Sequence, residues 1–253
     1  VRKELYDLKV RLFGTLIVCI ALFFIVAPFQ KFSVSLLEGY EGTPGTSKIM
    51  EKLIPRGFIE RLKEWNFYIN SQWFGKNFGQ LVPIIGIILG FPLFAREIEK
   101  GTIQFILVRR SRRWIFTNKI IAGFIALLVI ITISTLLPSI YSIVTEKEYN
   151  HQVIPHFLIH TLFASILWYS ISVFFSVITD DQVKPLLASL GLLAVTTVLG
   201  LLKPLKFLNT FNYALGTDVF RTGKANATYT IWIAILSVII LLSAMKIFEK
   251  REF

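Results

Sequence analysis

The sequence predicts an all-α integral membrane protein with six transmembrane helices. Six apolar stretches, at residues 12–29, 78–95, 120–144, 157–178, 186–202 and 231–248, each approach the ~20 residues that cross a bilayer core. None has an Asp, Glu, Lys or Arg at its heart. A soluble helix keeps one polar face for water. The run at 123–144 has none, only small hydroxyls able to bond back to their own helix carbonyls. Composition agrees: 54% of the residues are hydrophobic and only 17% charged, so the charges suffice for connecting segments and not for six polar faces. The expected organisation is a single transmembrane domain over residues 1–253.

The opening residues 1–11 place Leu5 and Leu8, followed by Leu12, on one helical face, with Arg2, Lys3, Lys9 and Arg11 elsewhere. This reads as an amphipathic helix on the inner leaflet, or as the basic flank common before a first span. Pro28 and the bulky Phe24, Phe29 and Phe32 leave no small-residue cleavage site, so the first span is expected to stay attached. Cys19 lies inside that span and, as the single cysteine, forms no disulfide within the chain. The 30–77 loop is expected outside the membrane. It contains the turn-rich GYEGTPGTS, followed by short amphipathic helices whose tryptophans sit at headgroup level.

The second span is narrow. Gly79, Gly86 and Gly90 lack side chains, Gly86 and Gly90 have the small-xxx-small spacing of close helix packing, and Pro83 and Pro92 remove backbone donors. A bent helix is expected, serving helix packing or a pathway between subunits.

Between spans two and three lies FAREIEKGTIQFILVRRSRRWIFTNKIIAG, in which Glu97 and Glu99 precede Gly101, an apolar run and then Arg109, Arg110, Arg112, Arg113 and Lys119. A segment with an apolar ridge between charges of both signs suits insertion into a groove on a partner protein. A basic collar on anionic lipid explains the arginines but not the preceding acids and glycine. Glu97, Glu99, Gly101, Thr102, the apolar run, Ser111-Arg112 and Lys119 resemble the E-x-E-x-G-T…P-x-S-R…K pattern of permease subunits of ATP-binding-cassette exporters, the ABC type 2 group. Arg109 stands where that family often has proline. The resemblance implies that 96–119 is a cytoplasmic coupling helix docking on a separate nucleotide-binding subunit, with Glu97, Glu99, Gly101 and Arg112 at the junction. It also implies ATP and Mg on that subunit, none in this chain, and a second permease subunit, making a homodimer or heterodimer. Replacing Gly86 by Leu would then uncouple transport without loss of partner docking.

The turn at 179–185 is the second inner segment. Its Asp180 and Asp181 either meet bases on the ATPase or cap the following helix, and the small worth of exposed ion pairs favours the cap. His151, His156 and His160 cluster before and within span four, but with no acid or Cys in register they are not read as a metal site. The triplet beginning at Asn226 matches a glycosylation sequon, which chance supplies often.

No catalytic residue is expected. The chain has no G-x-x-x-x-G-K-[ST], no H-E-x-x-H and no G-x-S-x-G. Nor does it hold a mid-membrane carboxylate or base for ion coupling. A transporter without its own energy source must borrow one, which fits an exporter permease; the alternative is a membrane scaffold or receptor recruiting a partner through the same loop. The net charge of +11 sits beside spans, which favours membrane lipids over nucleic acid. With both termini cytoplasmic, the inner segments hold fifteen Lys and Arg against twelve outside, and most of the outer ones lie deep in a long loop. The expected location is the cell membrane, multi-pass. Nothing polar in the spans selects a cargo; 23 Phe favour a hydrophobic or amphiphilic one.

Overall fold

The computed structural model describes residues 2–41 and 58–252, and the regular structure among them is helical. Helix α1 (Arg2–Val26) passes through a 3-10 turn into α2 (Gln30–Glu41). Short helices α3 (Phe58–Lys63) and α4 (Trp65–Gln72) lead through a π-helical turn, Trp73–Asn77, into α5 (Phe78–Gly90), and α6 (Pro92–Glu99) follows a break at Phe91. The single-turn α7 (Ile103–Leu107) precedes the long α8 (Arg112–Val144) and then α9 (Ile154–Ile178). The chain ends with α10 (Val183–Leu199), a 3-10 segment Lys203–Leu208, the short α11 (Thr210–Ala214) and α12 (Thr217–Thr222), and α13 (Ala227–Lys250).

Among the described residues, five stretches are long and apolar enough to cross a membrane: Tyr6–Leu36, Trp65–Glu99, Arg112–Val144, His151–Ile178 and Ala227–Lys250. The sixth apolar segment forms α10, with 17 residues. At 1.5 Å per residue that helix is roughly 26 Å long, slightly short of a hydrocarbon core of about 30 Å. The chain is thus a multi-span helical bundle. The basic opening and the first apolar stretch form one helix without a break at residue 11, burying Leu8, Cys19 and Phe23 and exposing Phe13, Ile17 and Val18.

The run from α4 to α6 is the centre of the bundle, with 72% of its apolar window buried against 17% for α1 and 22% for α13. The outer helices present Ile17, Phe24, Trp232, Ile235 and Ile239 outward, which is tolerable where the surroundings are hydrocarbon. Hydroxyls within the spans do bond back along their helices, for example Ser142 to the Pro138 carbonyl at 2.7 Å and Ser237 to that of Ile233 at 2.8 Å. These groups therefore need no water.

The tryptophans of the 30–77 segment differ from expectation. Trp65 and Trp73 are buried; Trp65 Nε1 donates to Ser142 Oγ at 2.7 Å and Trp73 Nε1 to the Ser134 carbonyl at 2.9 Å. An indole N–H in an apolar core needs an acceptor, and α8 supplies both. Trp65 therefore begins the second apolar stretch, 13 residues before Phe78, and residues 65–77 extend that stretch. Most of GYEGTPGTS lies outside the described residues.

Helices α5 and α9 approach closely. A Cβ on Gly86 would stand 2.4 Å from the Ser165 carbonyl oxygen, and one on Gly90 2.8 Å from that of Tyr169. Opposite, Tyr169 reaches α8 and donates to the Ile120 carbonyl at 3.0 Å, where a Cβ on Gly123 would meet its hydroxyl at 2.3 Å. Gly79 is packed against Phe74 and Leu215. Pro83 lies buried inside α5, and Pro92 starts α6. After the break at Phe91, the first-turn amides of Phe94 and Ala95 both donate to Ser176 Oγ at 3.0 Å, so a serine of α9 takes up donors the helix start leaves free.

Candidate functional site

The segments 1–11, 96–119, 179–185 and the chain's last residues meet at one end of the bundle. Lys119, on the first turns of α8, is 3% exposed and lies 2.9 Å from both Glu4 Oε2 of α1 and Glu97 Oε1 of α6. One ammonium thus joins three helices. A lysine survives such burial only when paired, and here two carboxylates compete for it. The second oxygen of Glu97, Oε2, is buried without a hydrogen-bond partner.

Glu99, two residues on, faces outward and accepts from Gln182 Nε2 at 2.7 Å, tying the 96–119 segment to the 179–185 turn. Gly101 follows with φ +65, the left-handed conformation that ends α6 and that glycine adopts without strain. Its amide donates to the Ile98 carbonyl at 3.0 Å. The chain then turns into α7, which buries Ile103 and exposes Phe105 and Val108, the latter 88% exposed. The Arg109 and Arg110 amides both donate to the Ile106 carbonyl, at 3.1 and 3.2 Å. The turn therefore closes with an arginine at 109, using an N–H that proline lacks.

Ser111 caps α8, accepting from the Trp114 amide at 3.4 Å. Arg112 donates to the carbonyls of Phe248, at 3.0 Å, and Arg251, closing the C-terminal end of α13, where a cation also meets the negative end of the helix dipole. Arg113 pairs with Glu249. Arg251 in turn pairs with Asp180 and donates to the Thr179 carbonyl at 3.1 Å.

Asp181 Oδ1 accepts from the amides of Val183 and Lys184 at 2.8 and 2.9 Å, capping α10, and Oδ2 lies 2.9 Å from Lys184 Nζ. The Lys184 amide first, then its ammonium, hold the Asp181 carboxyl below the usual carboxylate range. A carboxyl lowered in the folded state contributes stability that is present above its unfolded pKa and lost as pH falls through the folded value. Asp181→Ala is therefore expected to speed amide exchange in the first turn of α10 at neutral pH, with the difference vanishing in acid. Equal exchange at neutral pH would remove the cap.

The sequence-expected site residues thus fall into two groups. Glu97, Glu99, Gly101, Arg112, Asp180 and Asp181 all lie at this one end, and most are engaged with the protein's own groups. Gly79, Pro83, Gly86, Gly90 and Pro92 lie in the packed interior along α5 and α6. Lys119, which the sequence marked only as the last residue of that pattern, is the buried centre of the junction, and Gln182 and Arg251 join it with no sequence signal beyond charge or polarity. Among the described residues, no group of three or more His, Cys, Asp or Glu is placed to hold a metal. His160 is buried with both ring nitrogens engaged: Nδ1 meets the Tyr213 carbonyl at 2.9 Å and Nε2 accepts from the Asn226 amide at 3.0 Å. A carbonyl only accepts and an amide only donates, so the ring is the neutral Nδ1–H form. Asn226 itself caps α13 through the Tyr229 amide.

Among the described residues, two open clefts stand out by size. One, of about 620 Å³, lies at the junction between α1, α6 and α7. The other, of about 630 Å³, is an apolar cleft between α9, α10 and α13, walled by Trp168, Ile171, Leu192, Trp232 and Leu236. No curated protein and no solved structure matches the chain. A family model does, over residues 1–252, and its description is ABC-2 family transporter protein. With a multi-span helical bundle and a match from end to end, the chain belongs to the ABC-2 family of transporters.

Proposed function

We propose that the chain is the transmembrane permease subunit of an ABC exporter, coupling ATP hydrolysis on a separate nucleotide-binding subunit to export. The carrying observation is the junction at one end of the bundle, where α7 offers the exposed Phe105 and Val108 beyond an internally braced base. Two exposed apolar side chains on a short helix between charged turns suit a partner's groove. That end is read as cytoplasmic, with both termini there, and α10 as a sixth span accommodated by local thinning of the bilayer.

In this reading ATP and Mg are held by the partner, and a second permease subunit completes the path. Glu97 and Arg112 brace the docking segment from within, because their contacts are to Lys119 and to the end of α13. A push on α7 passes through Gly101 to α6, and through the Lys119 ion pairs to α1 and α8. The tight α5–α9 contact then moves the bundle centre as a unit. The apolar cleft beside α10 and α13 supports a hydrophobic or amphiphilic cargo, since its wall offers aliphatic and aromatic surface.

The test is affinity purification from native membranes followed by an ATPase assay. The wild type is expected to bring down an ATP-hydrolysing subunit. Val108→Asp, at an open surface position, is expected to weaken that association at least about tenfold, on the order of 1.4 kcal/mol, while the chain remains folded. If the chain comes down alone, the permease reading loses its energy source.

A further inference from the structure

The junction cavity has a charge imbalance that the protein does not resolve. Its lining includes six bases, Arg11, Arg96, Lys100, Arg109, Arg110 and Lys119, against three acids, Glu4, Asp7 and Glu97. Lys119 already engages two of those acids. Arg11 and Arg96 are both half-buried, and Arg11 feels the like charge of Arg96. Among the described residues neither has a carboxylate in ion-pair contact. Arg11 has only the Phe91 ring, 5.7 Å away. Two half-buried guanidiniums held near one another without an anion are a costly arrangement. An anion between them would relieve it.

The position says which anion. Arg11 immediately precedes the uncharged stretch of the first span, and Arg96 immediately follows that of the second, so both stand at the depth where phospholipid headgroups lie. Toward the bilayer from Arg96 the lining turns apolar at the buried Leu93, and the buried Leu8 stands beside Arg11. Paired guanidiniums at the edge of two uncharged stretches match a phosphate whose glycerol and acyl chains continue along α1 and α6 into the bilayer. Guanidinium is also the side chain best suited to phosphate, because its planar donors engage two oxygens at once.

We propose that this cavity is a binding site for a phosphate-bearing anion, supplied by the headgroup of an anionic membrane phospholipid, with Arg11 and Arg96 bridging the phosphate. The occupant fastens the start of α1 to α6, the helix that leads into the docking turn. Its presence therefore sets the resting position of α7. The proposal requires a membrane-embedded chain but not export, and its test uses no ATPase.

The experiment is thermal unfolding of the purified, delipidated protein in neutral detergent. Three probes are titrated: dioctanoyl phosphatidylglycerol, dioctanoyl phosphatidylcholine and inorganic phosphate. Phosphatidylglycerol is expected to raise the unfolding temperature at concentrations at least tenfold lower than phosphatidylcholine. Arg11→Gln and Arg96→Gln are each expected to abolish that preference, whereas Arg113→Gln, which lies outside the cavity, keeps it. Without lipid, the two glutamine variants should be as stable as the wild type or more so, because each removes a like-charge contact. A phosphatidylglycerol response without a phosphate response supports the lipid source. An equal response to inorganic phosphate keeps the anion site but overturns the lipid as its occupant. No preference in the wild type, an unchanged preference in both variants, or variants less stable than the wild type without lipid overturns the proposal.

Discussion

Lys119→Met is expected to lower stability by about 3 kcal/mol, a magnitude typical of removing one partner from a buried ion pair. The methionine fills the same volume, so the loss is electrostatic: Glu4 and Glu97, each 16% exposed at the side chain, would be left with no base between them. For a chain of this size such a loss corresponds to roughly 6–12 °C in apparent melting temperature. The triple variant Lys119→Met, Glu4→Gln, Glu97→Gln should recover most of it, because burying neutral groups in place of an incomplete ion cluster is often close to neutral. Thermal unfolding in detergent reads both. A single variant that melts with the wild type would mean that the cluster is not closed, and a triple variant as unstable as the single would assign Lys119 to packing. Either result would weaken the account of how α7 is braced against α1 and α8.

What was legible in the sequence follows from what each feature depends on. Hydropathy belongs to one segment at a time, so the multi-span helical bundle was visible from the apolar pattern alone. Pairings between distant segments leave no such mark. Lys119 meets Glu4 across 115 positions, Arg251 meets Asp180 across 71, and nothing local in either segment points to the other. Trp65 and Trp73 failed as surface markers for the same reason. An indole among charged and apolar neighbours reads alike at a headgroup boundary and in a core, and only Ser142 and Ser134, 77 and 61 positions away, decide the matter. Gly101 and Ser111 lie at the opposite extreme, since a left-handed helix stop and a serine cap are local devices readable from their neighbours. α10 has the length of the 186–202 stretch but runs three residues earlier, because Gly200 to Leu202 are apolar but form a turn rather than a further helical turn.

Gly86→Leu, which the sequence alone suggested would uncouple transport, is expected instead to prevent the chain from reaching a stable fold. The Cβ position of Gly86 lies 2.4 Å from the Ser165 carbonyl oxygen and 2.8 Å from the Tyr169 amide nitrogen. Both are backbone atoms of a helix, so no rotamer change relieves the contact. Separating α5 from α9 would also lengthen the Ser172 hydroxyl bond to the Ile87 carbonyl, now 3.2 Å, and displace Tyr169 from Ile120. Even Gly86→Ala should cost 3 kcal/mol or more, at or above the usual ~1–3 kcal/mol for overpacking, because the obstruction is rigid on both sides. Gly191→Ala is the matched control: no atom stands within 4 Å of its Cβ position on α10, so it should be neutral or stabilise by up to about 1 kcal/mol through helix propensity alone. Expression level, monodispersity and melting temperature of the three variants separate the cases. A folded, monodisperse Gly86→Ala with the wild-type melting temperature would mean that α5 and α9 lie further apart than described. The bundle centre would then be loose enough to slide, and the rigid transmission from α7 to the core would have to be replaced by motion between these two helices.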